Sequence, residues 1–342
     1  MDAKKVALCV GQYVGELYSR TPADCARWSR IPDALASSHA PELRQRLHQL
    51  GISADEFTDW VRAAPFVHLQ KVFPADRLPD TPEVWYPVPE SPSTITAAMS
   101  MILLASLAGM EAVSYGAEND GSLFVNLVAL PGQGVLQERS RTPMRGHTDA
   151  ASFPFRGTLD TDDERIAPSP DIVFLAAMRN PNAVATTVRA IDEVLDQLSS
   201  HQIDLLKGPH WVLNAQKSFQ RGTLQALGYE HQADGVPILL ETSEGLWVRY
   251  SHRESTVADQ DDRPARDTKD AFEAACANTG VEIALAPGDV LLVNNRKALH
   301  GRSPVGAETG GQSRWLVRGY GLDCNGLQPE RRYASPRHKL FP

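Results

Sequence analysis

Residues 286–302 read Ala-Pro-Gly-Asp-Val-Leu-Leu-Val-Asn-Asn-Arg-Lys-Ala-Leu-His-Gly-Arg. The Pro-Gly-Asp turn is followed by four apolar residues, 290–293, which predicts a short buried strand. We expect the chain to place His300 a few residues past the end of that strand. Short apolar segments separated by Gly, Pro, Asn and Asp recur from residue 113 onward, which favours an antiparallel sandwich or barrel.

Helical periodicity is concentrated in the first third of the chain. The predicted helices cover residues 1–64, 94–112, 190–201 and 267–279. The predicted strands cover residues 65–69, 123–128, 171–175, 186–188, 237–241, 290–293 and 313–318. The simplest organisation is one catalytic domain over residues 1–342, with a mostly helical part at 1–112 and a β core with inserted helices at 113–325.

Composition excludes several partner classes. The formal net charge is −8, and no Lys/Arg run or Arg-Gly tract is present, so we expect no nucleic-acid partner. The four cysteines lie far apart without a Cys-x-x-Cys pair, which predicts reduced thiols. No apolar signal-peptide segment follows Met1, and the longest apolar run, 97–110, is too short to cross a bilayer. We therefore expect a cytoplasmic protein with a small-molecule substrate and no membrane partner.

His147, Asp149 and His300 have the spacing of a metal site. Residues i and i+2 of a strand project from the same face, so His147 and Asp149 can reach one ion. Two histidines and one carboxylate are typical of an Fe(II) centre that keeps its opposite face open to substrate and O2. A histidine taken singly is more often a structural or surface residue than a ligand, so the prediction depends on the three together.

Arg314 lies beyond the last histidine, on a predicted strand where Arg314 and Arg318 share one face. A buried arginine near Fe(II) can bind the far carboxylate of a dicarboxylate through two hydrogen bonds. Taken alone, Arg314 is more simply part of a surface ion pair. Its position after His300 favours the anion site.

These segments together resemble the clavaminate synthase-like branch of the Fe(II)/2-oxoglutarate-dependent oxygenases, an amino-acid hydroxylase branch related to taurine dioxygenase. The resemblance covers residues 65–320. It is carried by His147-Thr148-Asp149, Pro287-Gly288-Asp289, Asn295 to Arg302, and Arg314 with Arg318. The string Asn-Arg-x-x-x-His-Gly-Arg is specific, whereas His-Thr-Asp alone is not. The chain departs at Asp149, where close relatives usually carry Glu, which changes the reach of the ligand but not its chemistry.

The resemblance implies an α+β fold with a mainly β core, a double-stranded β-helix (jelly roll) with N-terminal and inserted helices. It implies an Fe(II)-dependent dioxygenase that uses 2-oxoglutarate as cosubstrate together with O2. The implied iron ligands are His147, Asp149 and His300. The far carboxylate of 2-oxoglutarate would pair with Arg314, assisted by Thr186 or, if the strand register differs by one residue, by Thr187.

The resemblance also implies the substrate contacts. Arg318 is expected to hold the α-carboxylate of the substrate, and Glu118 with Asn119 its amino end. The simpler alternative for these two is a turn before the strand at 123–128. The loop 131–145 resembles the family's lid, which would exclude water during chemistry, or it is a plain connection. No catalytic residue beyond the metal centre is implied.

Hydroxylases of basic amino acids in this family carry an Asp-x-Asp segment that pairs with a guanidinium or ammonium group. After the predicted strand 246–250, this chain has Ser251-His252-Arg253 instead. A buried substrate cation would be unpaired there, which is unfavourable. We therefore expect hydroxylation of an unactivated C–H of a free amino acid or close derivative with a neutral polar or acidic side chain, in specialised metabolism such as antibiotic biosynthesis. Ser251 and Arg253 would contact it, unless the segment is a solvated loop before Glu254.

Other functions stay open on the sequence alone. One is a related dioxygenase for a non-amino-acid carboxylate or sulfonate, and another is a desaturase or cyclase that uses the same oxidant. A zinc hydrolase could use the same three ligands, although it gives Arg314 no role. A metal-free β-sandwich binding protein is the most distant alternative. Asp149 argues against a halogenase, which needs that coordination position for halide.

Overall fold

The computed structural model describes residues 1–159 and 163–342, with helices in the N-terminal part and most of the strands after it. The helices are α1 (Ala3–Arg20), α2 (Pro22–Trp28), α3 (Pro32–Gln49), α4 (Ala54–Ala63), α5 (Pro92–Leu107), α6 (Val135–Arg141), α7 (Ile191–Leu195), α8 (Ser200–Lys207), α9 (Lys217–Leu227) and α10 (Arg263–Asn278). The strands up to the middle of the chain are β1 (Phe66–Leu69), β2 (Glu111–Tyr115), β3 (Val125–Val128), β4 (Met144–His147), β5 (Ile172–Arg179), β6 (Thr186–Ala190), β7 (Trp211–Asn214) and β8 (Gln232–Val236). The later strands are β9 (Leu239–Thr242), β10 (Gly245–Val248), β11 (Ser255–Val257), β12 (Val281–Ile283), β13 (Val290–Asn294), β14 (Ala298–Arg302), β15 (Trp315–Leu322) and β16 (Lys339–Leu340). The predicted α+β composition is confirmed.

Helix α5 is shorter than the helix predicted over 94–112. It begins at a capping box, in which the Ser91 hydroxyl accepts from the Thr94 amide and the Thr94 hydroxyl accepts from the Ser91 amide. It ends at Leu107 because Gly109 has a φ of +71°, a left-handed conformation that terminates a helix. The residues after this glycine then start strand β2. Nearly the whole circumference of α5 is buried, as its composition predicts.

The helix predicted over 190–201 is instead two short helices, α7 and α8. The break occurs because Ser199 forms a capping box of its own with Gln202, which starts a new helix after the turn. Helix α10 begins earlier than its apolar pattern suggests, because the Asp262 carboxylate accepts from the Ala265 amide and fixes the N-terminus there.

Two antiparallel sheets make up the β core. The larger has the order β1-β13-β5-β15-β2-β16, with β3 also paired to β15, and only β16 and β2 run parallel. The smaller has the order β12-β6-β14-β4. Strand β1 joins the N-terminal part to the larger sheet through its pairing with β13. Among the described residues, no helix is both long and apolar enough to cross a membrane.

Alternate residues of the larger sheet enter two different cores. Phe174 and Val317 pack with the N-terminal helices, whereas their neighbours Leu175 and Leu316 face the opposite side and pack with residues of the smaller sheet. A fully buried side chain of this size stabilises the fold by about 1.5–3 kcal/mol. The sheets are thereby held with one layer of side chains between them, and the polar site described next lies within that layer.

Candidate metal centre and adjoining cavities

Three potential ligands converge from the smaller sheet. His147 is the last residue of β4, and His300 lies directly opposite it in the middle of β14. Asp149 lies in the turn after β4, with its Oδ1 3.4 Å from His147 Nε2 and 3.8 Å from His300 Nε2. One ligand atom from each of the three side chains lies within 4.8 Å of the others, and all three side chains are buried.

The backbone position of Asp149 differs from the prediction, whereas His147 lies on a strand as predicted. Asp149 lies beyond the strand rather than on it, so the rule for residues i and i+2 does not account for its approach to His147. His300 lies a few residues past the end of β13, as predicted, and the turn at residues 295–297 places it within a further strand, β14, in the smaller sheet.

The protonation states of the carboxylate and the two imidazoles allow them to bind a metal. Burial, reinforced by the nearby His147, lowers the pKa of His300 to about 3, so its imidazole is neutral at pH 7. Burial opposes ionisation of Asp149, but Arg318 and the two histidines outweigh it and hold the pKa of Asp149 below its usual range. His147 Nδ1 donates to the Arg145 carbonyl at 3.2 Å, which leaves its Nε2 lone pair for a metal. A carboxylate and neutral imidazoles are the donor set that Fe(II) sites of this type use.

Two primary amides hold the backbone that carries Asp149. The Asn295 side chain accepts from the Asp149 amide at 2.8 Å and donates to the Asp149 carbonyl at 3.0 Å. From the other side, Gln216 accepts from the Ala150 amide and donates to the Thr148 carbonyl, both at 2.9 Å. Ala150 has a φ of +54°, unusual for a residue with a Cβ. The two amides therefore fix a strained turn that directs the carboxylate towards the histidines.

Replacing Asn295 with alanine is expected to lower the free energy of unfolding by about 3 kcal/mol, because buried groups of Asp149 and Pro170 lose their partners. Urea denaturation of the metal-free protein measures this change. The matched control, Asn278→Ala at the exposed end of α10, should change stability by less than about 0.5 kcal/mol. Equal stability of the two variants would show that the amide does not hold the turn.

An inner cavity of about 80 Å³ lies between the triad and Arg314. Arg314 is 5% exposed and has no hydrogen bond or ion pair with any described residue, and its Nε is buried. Burial, reinforced by Arg302, lowers the pKa of Arg314 to about 9. A buried guanidinium without a partner is costly, so this wall of the cavity is suited to an anion. Thr186 lines the same cavity, whereas Thr187 projects from the opposite face of β6.

Arg302 connects the inner cavity with the loop 131–145. Its Nη2 donates to the carbonyl of Thr142 at 2.8 Å and to that of Arg139 at 3.2 Å. Burial lowers the pKa of Arg302 to about 10. The loop contains helix α6 and exposes the apolar side chain of Val135, which is 64% exposed.

An outer cavity of about 190 Å³ opens on the other side of His147 and Asp149, and Arg318 lines both cavities. Arg318 Nη2 donates to Glu118 Oε2 at 2.6 Å, and its Nη1 lies 3.4 Å from Asp149 Oδ2. The Tyr320 hydroxyl also donates to Glu118 Oε2, at 3.1 Å. Glu118 is thus held against Arg318, and Asn119 lies in the adjoining turn. Neither is among the described residues that line the two cavities.

The segment Ser251-His252-Arg253 borders the outer cavity. Ser251 forms a backbone bridge to His147, and His252 Nδ1 donates to the Gly146 carbonyl. The segment is therefore attached to the strand that carries the first histidine. Ser251 and Arg253 lie where a substrate in this cavity would meet them, and their contact with a substrate stays a prediction.

No function was predicted from the sequence for four residues that the structure places in or beside the site. They are Gln216, Lys217, Asn295 and Arg302. Asn295 and Arg302 belong to the Asn-Arg-x-x-x-His-Gly-Arg string, so a signal for them was present. The segment that carries Gln216 and Lys217 shows no pattern, and only the folded chain brings it to the cavity.

Comparison with known proteins extends these observations. Residues 145–320, just over half of the 342 in the chain, match the family described as "Taurine catabolism dioxygenase TauD, TfdA family". An L-lysine 3-hydroxylase of Catenulispora acidiphila is 27% identical over 216 residues, which are 61% of this chain and 54% of that protein. The chain thus spans about half the length of this relative. The enduracididine beta-hydroxylase of Streptomyces hygroscopicus is 24% identical over 250 residues, 68% of each chain.

Solved structures agree with these relatives. The non-heme iron oxygenase OrfP, in complex with Fe, succinate and (3R,4R)-dihydroxy-L-Arg, has a TM-score of 0.73 and 25% identity, covering 98% of this chain and 97% of that one. OrfP has also been solved with Fe and alpha-ketoglutaric acid. Iron and 2-oxoglutarate, the predicted cofactors, are therefore the groups that a structural relative contains. The predicted relationship to taurine dioxygenase is confirmed, and the chain belongs to the TauD/TfdA family of dioxygenases.

Proposed function

We propose that this chain is an Fe(II)- and 2-oxoglutarate-dependent oxygenase that hydroxylates an unactivated C–H of a free amino acid or close derivative. One observation carries the proposal: the unpaired Arg314 shares a small buried cavity with the His147, Asp149 and His300 side chains. A zinc hydrolase needs the three ligands but has no use for this arginine. The relatives from Catenulispora acidiphila and Streptomyces hygroscopicus are hydroxylases of amino acids, which supports the substrate type.

Within this proposal each side chain has one task. His147, Asp149 and His300 hold the iron, while Arg314 and Thr186 bind the far carboxylate of 2-oxoglutarate. When bound, iron and 2-oxoglutarate would supply the oxidising power: one oxygen atom of O2 would enter the succinate formed with CO2 from 2-oxoglutarate, and the other would enter the substrate C–H bond. The protein holds the target carbon beside the metal and keeps water away. The two facing sheets would form a double-stranded β-helix around this site.

The outer cavity provides the place for the amino acid. Arg318 lies between the two cavities and is suited to the α-carboxylate, because it is buried, charged and next to Asp149. Glu118, which now pairs with Arg318, is the carboxylate nearest to that position and suits the α-amino group. The side chain would extend towards Ser251 and Arg253, where the Ser-His-Arg segment offers no carboxylate to a cation. A neutral polar or acidic side chain fits this wall.

Incubation with Fe(II), 2-oxoglutarate and single amino acids tests the proposal, with succinate and the oxidised product as readouts. We expect succinate to form only with a matching amino acid, and the product to gain one oxygen atom. A product that loses two hydrogens would instead indicate a desaturase or cyclase. Turnover of arginine, ornithine and lysine alone would overturn the substrate class but leave the oxygenase in place. Hydrolysis with zinc, and no 2-oxoglutarate-dependent O2 uptake with any substrate, would overturn the oxygenase itself.

The proposal extends to the domain organisation of the chain, its cellular location and its metabolic role. One catalytic domain over residues 1–342 is supported by β1, which follows the first helices and pairs within the larger sheet. A cytoplasmic place of action is in keeping with the four cysteines, none of which forms a disulfide. We place the reaction in specialised metabolism, since a related enzyme hydroxylates enduracididine.

A further inference from the structure

The outer cavity has a charge opposite to that of the chain. The chain has a formal net charge of −8. Yet four cationic side chains besides Arg318 line this one cavity, and Glu254 is its only carboxylate besides Asp149 among the described lining residues. The four are Arg139, Arg145, Lys217 and Arg253. Since they come from three separate segments, folding and not local sequence brings them together.

These cations are poorly neutralised by the protein. No carboxylate in the described ranges lies within 4.0 Å of the charged nitrogens of Arg139, Lys217 or Arg253. Lys217 donates to the neutral amide of Gln220 at 2.7 Å. Arg145 is 3.8 Å from a carboxylate but remains 74% exposed. The cavity wall therefore keeps a positive potential that a ligand meets.

Helix α9 adds to this potential. Its first residues, Lys217 and Ser218, line the cavity, and its first turn contains no acidic residue. The Gln216 side chain does not cap the helix, because it is bonded to the turn that holds Asp149. The partial positive charge of the helix N-terminus thus acts in the same direction as the four cations.

We propose that the substrate is an amino acid whose side chain ends in an acidic group, bound at the wall formed by Arg145, Lys217 and Arg253. This inference rests on the proposed function, since it assumes that the outer cavity receives the amino acid. Buried Arg318 beside Asp149 takes the α-carboxylate, and the exposed cations at the mouth take the second acid. A side chain that ends in an ammonium or guanidinium group would meet like charges, which disfavours it.

Steady-state kinetics of the iron-loaded enzyme with matched pairs tests the inference. The pairs are glutamate with glutamine, and aspartate with asparagine. We expect the acid of one pair to have a kcat/KM at least about tenfold above that of its amide. Each exposed ion pair contributes little by itself, so two cations are removed together. The double variant Lys217→Gln/Arg253→Gln should raise the KM for the acid by about tenfold. The KM for the amide should rise less than that for the acid, so the preference for the acid over its amide falls, because the amide side chain carries no charge for either cation.

The exposed Arg263 on α10 gives a control of the same type, and Arg263→Gln should change none of these constants. A double variant with an unchanged KM for the acid, or equal kcat/KM for acid and amide, overturns the inference. Turnover of only neutral amino acids overturns it while the proposed function stands, and turnover of only basic amino acids overturns both it and the proposed substrate class.

Equilibrium binding of the amino acids tests the inference even if no turnover is found. Calorimetry of the metal-free protein with glutamate and aspartate is carried out in saturating 2-oxoglutarate, so that neither acid can occupy the Arg314 cavity. Binding of an acid that weakens with added salt and is lost in the double variant supports the inference. Binding of the amides as tightly as the acids, or binding of neither acid, overturns it.

Discussion

Replacing His300 with alanine is expected to lower iron affinity by more than about a hundredfold and to remove 2-oxoglutarate-dependent turnover. Loss of a group that merely orients a metal ligand costs about 10–100-fold, so loss of a ligand itself should exceed that range. The remaining His147 and Asp149 cannot close one face of an octahedron. The neutral imidazole of His300, whose pKa is lowered to about 3, is the donor that disappears.

Iron content after anaerobic reconstitution measures this effect, together with succinate formation. The control is His48→Ala on the exposed side of α3, which should retain both. His300 is buried, so circular dichroism establishes that the variant is folded before its iron content is compared. A folded His300→Ala protein with full iron occupancy and activity would exclude His300 as a ligand.

Replacing Arg314 with glutamine is expected to raise the KM for 2-oxoglutarate by about 30- to 1,000-fold. Removing one partner of a buried, hydrogen-bonded charge pair costs about 2–4 kcal/mol, and each 1.36 kcal/mol is a factor of ten. The same change should not destabilise the ligand-free protein. Arg314 has no counter-ion in the described part of the structure, so the variant removes a buried and uncompensated charge.

Thermal unfolding with and without 2-oxoglutarate separates these two effects. The unmodified protein should gain stability with the cosubstrate, whereas Arg314→Gln should start at an equal or higher melting temperature and gain nothing. The control is Arg332→Gln, which breaks an ion pair to Glu111 outside both cavities. A KM for 2-oxoglutarate within twofold of the unmodified enzyme would show that this cavity does not bind the cosubstrate through Arg314.

The three side chains predicted to converge do lie together, but the sequence did not predict how the backbone brings them together. That prediction depended on the two histidines, the carboxylate and Arg314 taken together, because a single histidine is more often a structural or surface residue. The turn that carries Asp149 was not predictable, since a left-handed alanine such as Ala150 has no signature of its own. Its conformation is imposed by Asn295 and Gln216 from distant segments, and such tertiary contacts override local preference.

The positive charge of the residues that line the outer cavity was predicted only in part. Ser251-His252-Arg253 indicated the loss of a negative wall, because that segment follows a recognisable strand. It did not indicate that Arg145 and Lys217 face the same space. Positions of this kind depend on how loops and helix ends meet, and residues on loops have little periodicity from which a prediction could start.

Arg302 links the inner cavity to the loop 131–145, and through it to the outer cavity. Its guanidinium is repelled by Arg314 on one side and donates to the Arg139 and Thr142 carbonyls of the loop on the other. A dicarboxylate that neutralises Arg314 would remove this repulsion and so strengthen the existing bonds of Arg302 to the loop, which also borders the outer cavity. Each ligand thereby favours the binding of the other, and by reciprocity the two coupling free energies are equal. Cosubstrate and amino acid should therefore bind with positive cooperativity, although in the proposed arrangement they would occupy different cavities.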